Sequence, residues 1–225
     1  MSKKSNTGTS KTKYIPIATA VLIFAAINVF FFENGFDIDS ILNYTPENKM
    51  LAILFMLLLY ALKSISVIFP LDVLYVADGI LFSPVSAVLV SIAGVFIAVT
   101  VPYIIGKACG ENIMDEIYEK YPKAKKIAVY QNENPFFASF ITRVVGVLPL
   151  DIVSAYFGAH RLNYGIFAFG SVSGLLLNLV ITTLLGNRLS NPSSAEFMMV
   201  IALKIVVSTG SIYLKHLYDK KKGYN

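Results

Sequence analysis

The sequence predicts an all-α polytopic membrane protein with about four full crossings, built from an inverted repeat of a re-entrant hairpin plus a transmembrane helix. Three observations lead to this fold class: the composition, the lengths of the apolar runs and a duplicated tripeptide. Of the 225 residues, 56% are hydrophobic and only 15% are charged, whereas soluble domains average about 25% charged residues. This balance excludes a disordered chain, a coiled coil and most soluble folds. The net charge of +5 favours an anionic membrane surface over a nucleic acid.

The N-terminal part divides into two segments. Residues 1–13 are polar and carry four lysines, which is typical of a disordered cytoplasmic tail. Residues 14–49 are expected to form the N-terminal transmembrane helix and an external loop. The uncharged run 15–32 is longer than a secretory h-region of about 7–15 residues and ends in bulky Phe30–Phe32 instead of a cleavage site. We therefore interpret it as a retained helix.

Residues 50–188 alternate short and long apolar pieces. The runs 71–82 and 135–148 are too short to cross a hydrocarbon core of about 30 Å, whereas 85–105 and 164–185 are long enough. Residues 107–134 place apolar side chains on one helical face and charges on the other, which is typical of a helix on the membrane surface. The last segment, 189–225, predicts a C-terminal transmembrane helix and a basic tail.

A repeat links the two short pieces. Pro70-Leu71-Asp72 and Pro149-Leu150-Asp151 are the same tripeptide, and glycines follow both copies at matching positions once one residue is inserted. The matching glycines are Gly79 with Gly158, Gly94 with Gly174, and Gly106 with Gly186. The ordered set indicates internal duplication, and interrupted apolar segments at matching positions point to a transport site.

The distribution of basic residues predicts the topology. If the run 50–69 crosses fully, more lysines and arginines lie outside than inside, against the positive-inside rule. If 50–82 instead enters and leaves on one side, the positive loops and both termini lie in the cytoplasm. The two hairpins then enter from opposite faces and their tips, Pro70 and Pro149, approach the midplane. Because backbone at a tip cannot be satisfied by lipid, the tips are expected to share a wet pocket.

Charged residues near the tips are the candidate site. Asp72 and Asp151 either cap half-helices or mark a polar path or proton site. Arg143, inside a short apolar piece, either forms a salt bridge with one of these aspartates or contacts a lipid phosphate, which its planar guanidinium suits. The shared pocket is expected to hold all three side chains.

Other residues receive supporting interpretations. Asp78 is expected to be interfacial or paired, and Gly79 and Gly158 to allow close helix packing. His160 and Arg161 are expected near the cytoplasmic mouth, where they either extend to water or meet an anionic headgroup. Lys63, Lys204 and Glu196 are likewise expected to extend to water. The sequence has no P-loop, HExxH or paired-cysteine motif, so neither an enzyme, a metal nor a cofactor is expected.

The central part resembles the DedA or VTT-domain family, also called SNARE-associated Golgi protein. The resemblance runs from Phe69 to Arg188. Its matching pieces are Pro70-Leu71-Asp72 with Ala77-Asp78-Gly79, Phe140-Ile141-Thr142-Arg143 before Pro149, and Ala155-Tyr156-Phe157-Gly158. Many bacterial members have a second arginine at the position of Pro149, and this chain is closer to the branch with proline there.

The resemblance implies two facing re-entrant hairpins and movement of lipids between leaflets. The expected cargo is a phosphate-bearing lipid such as undecaprenyl phosphate or a phospholipid, with Asp72 and Arg143 at the family's positions. The alternatives are an ion- or proton-coupled small-solute transporter and a non-transporting membrane scaffold. The expected partners are membrane lipids and no nucleic acid, with a homo-oligomer as a possible state. The expected location is a bacterial cell membrane.

Overall fold

The fold is known from a computed structural model, which describes residues 38–64, 70–110, 112–121, 134–146, 148–189 and 194–221, together with Ala124, Ile127 and Gln131. The tail 1–13 and the predicted helix 15–32 lie outside the described residues. The described part is helical and contains no strand, which confirms the predicted all-α class. Its helices are α1 (Ile38–Tyr44), α2 (Lys49–Lys63), α3 (Leu71–Leu81), α4 (Pro84–Cys109), α5 (Asn112–Lys120), α6 (Pro135–Val145), α7 (Leu150–Ala159), α8 (Tyr164–Arg188) and α9 (Ala195–Lys221).

Two pairs of short helices occupy the places of the predicted hairpins. Asn48 caps α2 by accepting from two backbone amides, and Asn134 caps α6 by accepting from the amide of Phe137. The 15 residues of α2 and the 11 of α6 give lengths of about 22 and about 16 Å, less than the roughly 30 Å of a hydrocarbon core. Each is followed by a proline, Pro70 or Pro149, which is the N-cap of the next short helix.

Two long helices form the centre of the described molecule. Within the described residues, α4 and α8 are the helices long and apolar enough to cross a membrane, and they cover the runs 85–105 and 164–185 that were predicted to be long enough. α4 begins with Pro84 as its first residue and continues to Cys109, where Gly110 ends it in a positive-φ conformation. α4 and α8 pack against each other.

The remaining helices lie around this centre. α5 buries Met114 and Ile117 and exposes Glu119 and Lys120, so its predicted amphipathic character is confirmed. α9 packs on α8 and also touches α6. The side chains at the far end of α9, and Lys222 of the predicted basic tail, lie outside the described part.

The two halves, α2–α4 and α6–α8, repeat one packing scheme. The second short helix of each half packs on the long helix of the other half. α3 packs on α8, and α7 packs on α4. At the first crossing a Cβ on Gly79 would collide with the backbone of Thr183, and one on Gly186 with the backbone of Val76. Glycine at these crossings therefore lets the helix backbones touch, as was predicted for close packing.

The second crossing is the counterpart of the first. A Cβ on Gly158 would collide with the backbone of Tyr103, and one on Gly106 with the backbone of Ala155. When the repeat is aligned, each of these contacts corresponds to a contact at the first crossing. Equivalent residues of the two halves therefore make the same contact with the other half. Reciprocal contacts of this kind are typical of a two-fold relation.

Candidate functional site

Arg143 lies in the last turn of α6 and is buried, with 8% of its surface exposed. Its Nη1 donates to the Leu150 carbonyl at 2.7 Å, and its Nη2 donates to Ser154 Oγ at 2.8 Å. Ser171 Oγ accepts from both Nε and Nη2 at 3.2 Å. Among the described residues, no carboxylate lies within ion-pair distance of the guanidinium. The predicted salt bridge to Asp72 or Asp151 is therefore absent, and the charge is held by neutral groups.

Asp151 lies in the first turn of α7 and is buried in an ion pair with Lys63, the last residue of α2. Lys63 Nζ donates to Oδ1 at 2.9 Å and to Oδ2 at 2.7 Å. The expectation that Lys63 extends to water is wrong, because only 5% of this residue is exposed. A buried ammonium requires a counter-charge, and Asp151 supplies it from the other half of the molecule.

Asp72 belongs to a different and more exposed network. Its Oδ1 accepts from Asn178 Nδ2 at 2.9 Å, and its Oδ2 lies 3.6 Å from Lys204 Nζ. Lys204 also donates to Thr182 at 2.7 Å, so α9 and α8 together hold this carboxylate. The Asp72 side chain is 51% exposed within the protein. Asp72 and Asp151 thus have separate cationic partners instead of sharing one.

Hydrogen bonds relate the positions of these charges. Arg143 donates to the carbonyl of Leu150, the neighbour of Asp151. Ser171, which binds Arg143, and Asn178, which binds Asp72, lie about two turns apart on α8. Tyr75, one turn after Asp72, is 1% exposed, and its hydroxyl has no hydrogen-bond partner among the described residues. The three predicted residues therefore lie in one region of the molecule, although none of them contacts another directly.

Asp78 is fully buried, so the expectation of an interfacial position is wrong. Its Oδ2 accepts from Tyr60 Oη at 2.7 Å and from Ser91 Oγ at 2.6 Å, and Ser91 lies 3.2 Å from Thr183 Oγ1. Oδ1 has no partner, and no cation of the described residues lies within ion-pair distance. The pairing is thus with hydroxyl groups, and it joins α2, α3, α4 and α8.

Pro70 and Pro149, the predicted hairpin tips, precede α3 and α7. Each is the extended residue directly before a short helix, and each helix carries its aspartate in the first turn, where a carboxylate complements the helix dipole. This position agrees with the capping interpretation of Asp72 and Asp151. It also places Pro70 and Pro149 at the positive N-terminal ends of α3 and α7.

His160 and Arg161 lie at the opposite end of α7. Both are exposed, and the His160 ring packs against Tyr156 with ring centroids 4.3 Å apart and ring planes tilted by 34°. With Gly110, Met114 and Ala159 they line a cavity of about 450 Å³. Their exposure agrees with the expected position at a mouth. At the ends of α8 and α9, exposed Arg188 and Glu196 form an ion pair.

Several partners in these networks were missed by the sequence reasoning. Lys63, Ser154 and Ser171 hold the charges of Asp151 and Arg143, and Tyr60 and Ser91 hold Asp78. Extending the repeat alignment in both directions would have indicated two of them, because Lys63 matches Arg143 and Ser91 matches Ser171 at the spacing of Gly94 and Gly174. Within the described residues no group of His, Cys, Asp or Glu is arranged to hold a metal ion.

Comparison with known proteins identifies the family of this chain. No solved structure matches the chain. A relative from Bacillus subtilis (strain 168), the uncharacterized protein YqeD, is 22% identical over 166 residues, which cover 74% of this chain and 78% of that protein. The model of the VTT domain matches residues 69–188, which is more than half of the sequence and contains both tips, both glycine crossings and Arg143. The chain therefore belongs to the VTT-domain, or DedA, family of integral membrane proteins.

Proposed function

We propose that this protein is a flippase- or scramblase-like transporter that moves a phosphate-bearing lipid, such as undecaprenyl phosphate or a phospholipid, between leaflets. The observation that carries the proposal is the environment of Arg143, a buried cation whose partners are two serines and one backbone carbonyl. Burial of a charge without a counter-ion is costly, and a guanidinium matches phosphate in shape and charge. A phosphate group would supply the missing counter-charge.

The surroundings of Arg143 add to its attraction for an anion. Its Nη1 reaches the first residue of α7, so the guanidinium lies beside the positive end of this helix. The nearest acids are already engaged: Asp151 with Lys63, and Asp72 with Lys204 and Asn178. The local balance of charge at the guanidinium therefore favours an anionic headgroup.

A path between leaflets requires that the two tips enter the bilayer from opposite faces. In our proposal the two-fold axis between the halves lies in the membrane plane, and the short helices are re-entrant. The lengths of α2 and α6 and the reciprocal glycine crossings support this arrangement. It also satisfies the positive-inside rule for the lysines and arginines of the sequence, which full crossing of 50–69 does not. Inverted repeats with binding at the midplane are common in transporters.

Lipid exchange in liposomes tests the proposal. The purified protein is reconstituted with a fluorescent phospholipid or polyprenyl phosphate, and a membrane-impermeant quencher reports the fraction that reaches the outer leaflet. We expect faster exchange than in empty liposomes and a reduction of at least tenfold in Arg143→Met. Arg188→Met is the matched control, because Arg188 is exposed and pairs with Glu196 at the surface. Equal rates with and without the wild-type protein would contradict the proposal.

A second candidate, a proton-coupled small-solute transporter, is favoured by Asp78. A buried carboxyl with hydroxyl partners and no cation among the described residues is suited to hold a proton. This function predicts acid-dependent solute flux that Asp78→Asn abolishes, without lipid exchange. If neither lipid nor solute moves and tip variants change only stability, the protein is a scaffold.

A further inference from the structure

Lys63 and Arg143 occupy equivalent positions in the two halves. Gly94 and Gly174 mark the equivalence: a Cβ on Gly94 would meet the ring of Tyr60, and a Cβ on Gly174 would meet Phe140 and Arg143. Tyr60 and Phe140 are separated by the same spacing as the two glycines, and Lys63 and Arg143 follow three residues later. Each cation therefore lies in the last turn of its short helix, at the equivalent position of its half.

The acids are equivalent as well, but the ion pairs are not. Lys63 pairs with Asp151 of the second half at 2.7 Å. The reciprocal pair would join Arg143 to Asp72 of the first half, and in this structure Asp72 contacts Lys204 and Asn178 instead. A two-fold arrangement gives each contact a counterpart. In this structure the Lys63–Asp151 ion pair is formed, and its counterpart between Arg143 and Asp72 is not.

The surroundings of Arg143 and Asp72 allow an ion pair to form between them. Ser171, which binds Arg143, and Asn178, which binds Asp72, lie about two turns apart on α8. Tyr75 lies one turn after Asp72 on α3, and its buried hydroxyl has no partner among the described residues. An unpaired buried hydroxyl costs free energy that another arrangement can recover. Half of the Asp72 side chain is exposed, and its partner Lys204 is 28% exposed. The contact between Asp72 and Lys204 is therefore weaker than a buried ion pair and costs less free energy to break.

The geometry points to a relay of two cations, in which Lys63 is a second phosphate-binding residue. Lys63 binds phosphate in a second conformation, in which its ion pair with Asp151 is broken and Asp72 forms an ion pair with Arg143. This inference rests on the proposed lipid transport, which it deepens. In the present conformation Arg143 has no acidic partner among the described residues, and Lys63 is paired with Asp151. In the other conformation the two roles are exchanged, as inverted repeats allow.

Cross-linking tests the exchange of pairs without measuring transport. In a Cys109→Ser background, Arg143→Cys/Asp72→Cys and Lys63→Cys/Asp151→Cys are treated in membranes with a short bifunctional thiosulfonate, and intact mass separates a bridge from two single adducts. We expect both pairs to be bridged. A bridge in Lys63→Cys/Asp151→Cys alone would overturn the relay.

A neutral double variant separates binding from structure and does not depend on cysteines. Lys63→Met/Asp151→Asn removes both buried charges together, so neither is left unpaired. If Lys63 binds phosphate, lipid exchange falls at least tenfold although the melting temperature stays within a few degrees of that of the wild type. If the ion pair is only structural, exchange stays within twofold of wild type, which would contradict the relay. Failure of the wild-type protein to move lipid would refute the proposed function and the relay's phosphate role, while the cross-links still report whether the pairs alternate.

Discussion

At the scale of single residues, the buried charges differ in how they are neutralised. Asp151 has a cation, Arg143 has neutral hydrogen-bond acceptors, and Asp78 has two hydroxyl donors. These differences separate the residues in chemical role: the ion pair can be exchanged, the guanidinium can take an anion, and the carboxyl can hold a proton. The roles follow from partners and not from the residue types alone.

The network of Asp78 gives a prediction about stability. Asp78→Asn keeps an oxygen that accepts from Tyr60 and Ser91, so we expect its unfolding free energy to stay within about 1 kcal/mol of wild type. Asp78→Ala leaves the Tyr60 hydroxyl buried without its acceptor and is expected to lose about 2 kcal/mol. Thermal unfolding in detergent measures both. Equal loss in the two variants would mean that these hydrogen bonds do not stabilise the fold.

At the scale of helices, the fold depends on crossings where backbones touch. The crossing of α7 on α4 and that of α3 on α8 both use glycine on each side. Because the helices are held by packing and not by a hydrophobic difference from lipid, close approach is a main source of their association. The short helices that carry Asp72 and Asp151 are thereby fixed to the long helix of the opposite half.

We expect the crossings to be intolerant of a single methyl group. In Gly158→Ala the new Cβ would collide with the backbone of Tyr103, and overpacking of this kind costs about 1–3 kcal/mol. Gly210→Ala in α9 is the matched control, because no heavy atom lies within 4 Å of its Cβ and alanine is the better helix former. Melting temperatures should fall in Gly158→Ala and hold or rise in Gly210→Ala. A fall of the same size in both would show that space at the crossing is not the cause.

At the scale of the whole molecule, much of the architecture could be predicted from sequence. Hydropathy located α4 and α8, because length and composition alone decide whether a helix can span. The repeat located the glycine crossings and both helix starts at Pro70 and Pro149. The partner of Asp151 could not be predicted from hydropathy, because Lys63 lies 88 residues away and a lysine in an apolar helix ordinarily extends to water.

The predicted orientation of the molecule can be tested with its single cysteine. Cys109 is exposed at the end of α4, beside the basic loop that the sequence places in the cytoplasm. An impermeant maleimide should label it in inside-out vesicles only. Lys49→Cys, at the start of α2 in a Cys109→Ser background, should show the opposite sidedness. Labelling of both positions from one side would contradict the re-entrant arrangement.

The central claim is that the guanidinium of Arg143 recognises the phosphate of a lipid that changes leaflet. It is tested most directly by comparing exchange of a phosphate-bearing lipid with that of a phosphate-free analogue of the same chains, in liposomes that contain wild type or Arg143→Met. We expect the wild type to accelerate the phosphate-bearing lipid at least tenfold more than the analogue, and Arg143→Met to abolish this preference. Equal acceleration of both lipids, or a preference that survives in Arg143→Met, would contradict the account.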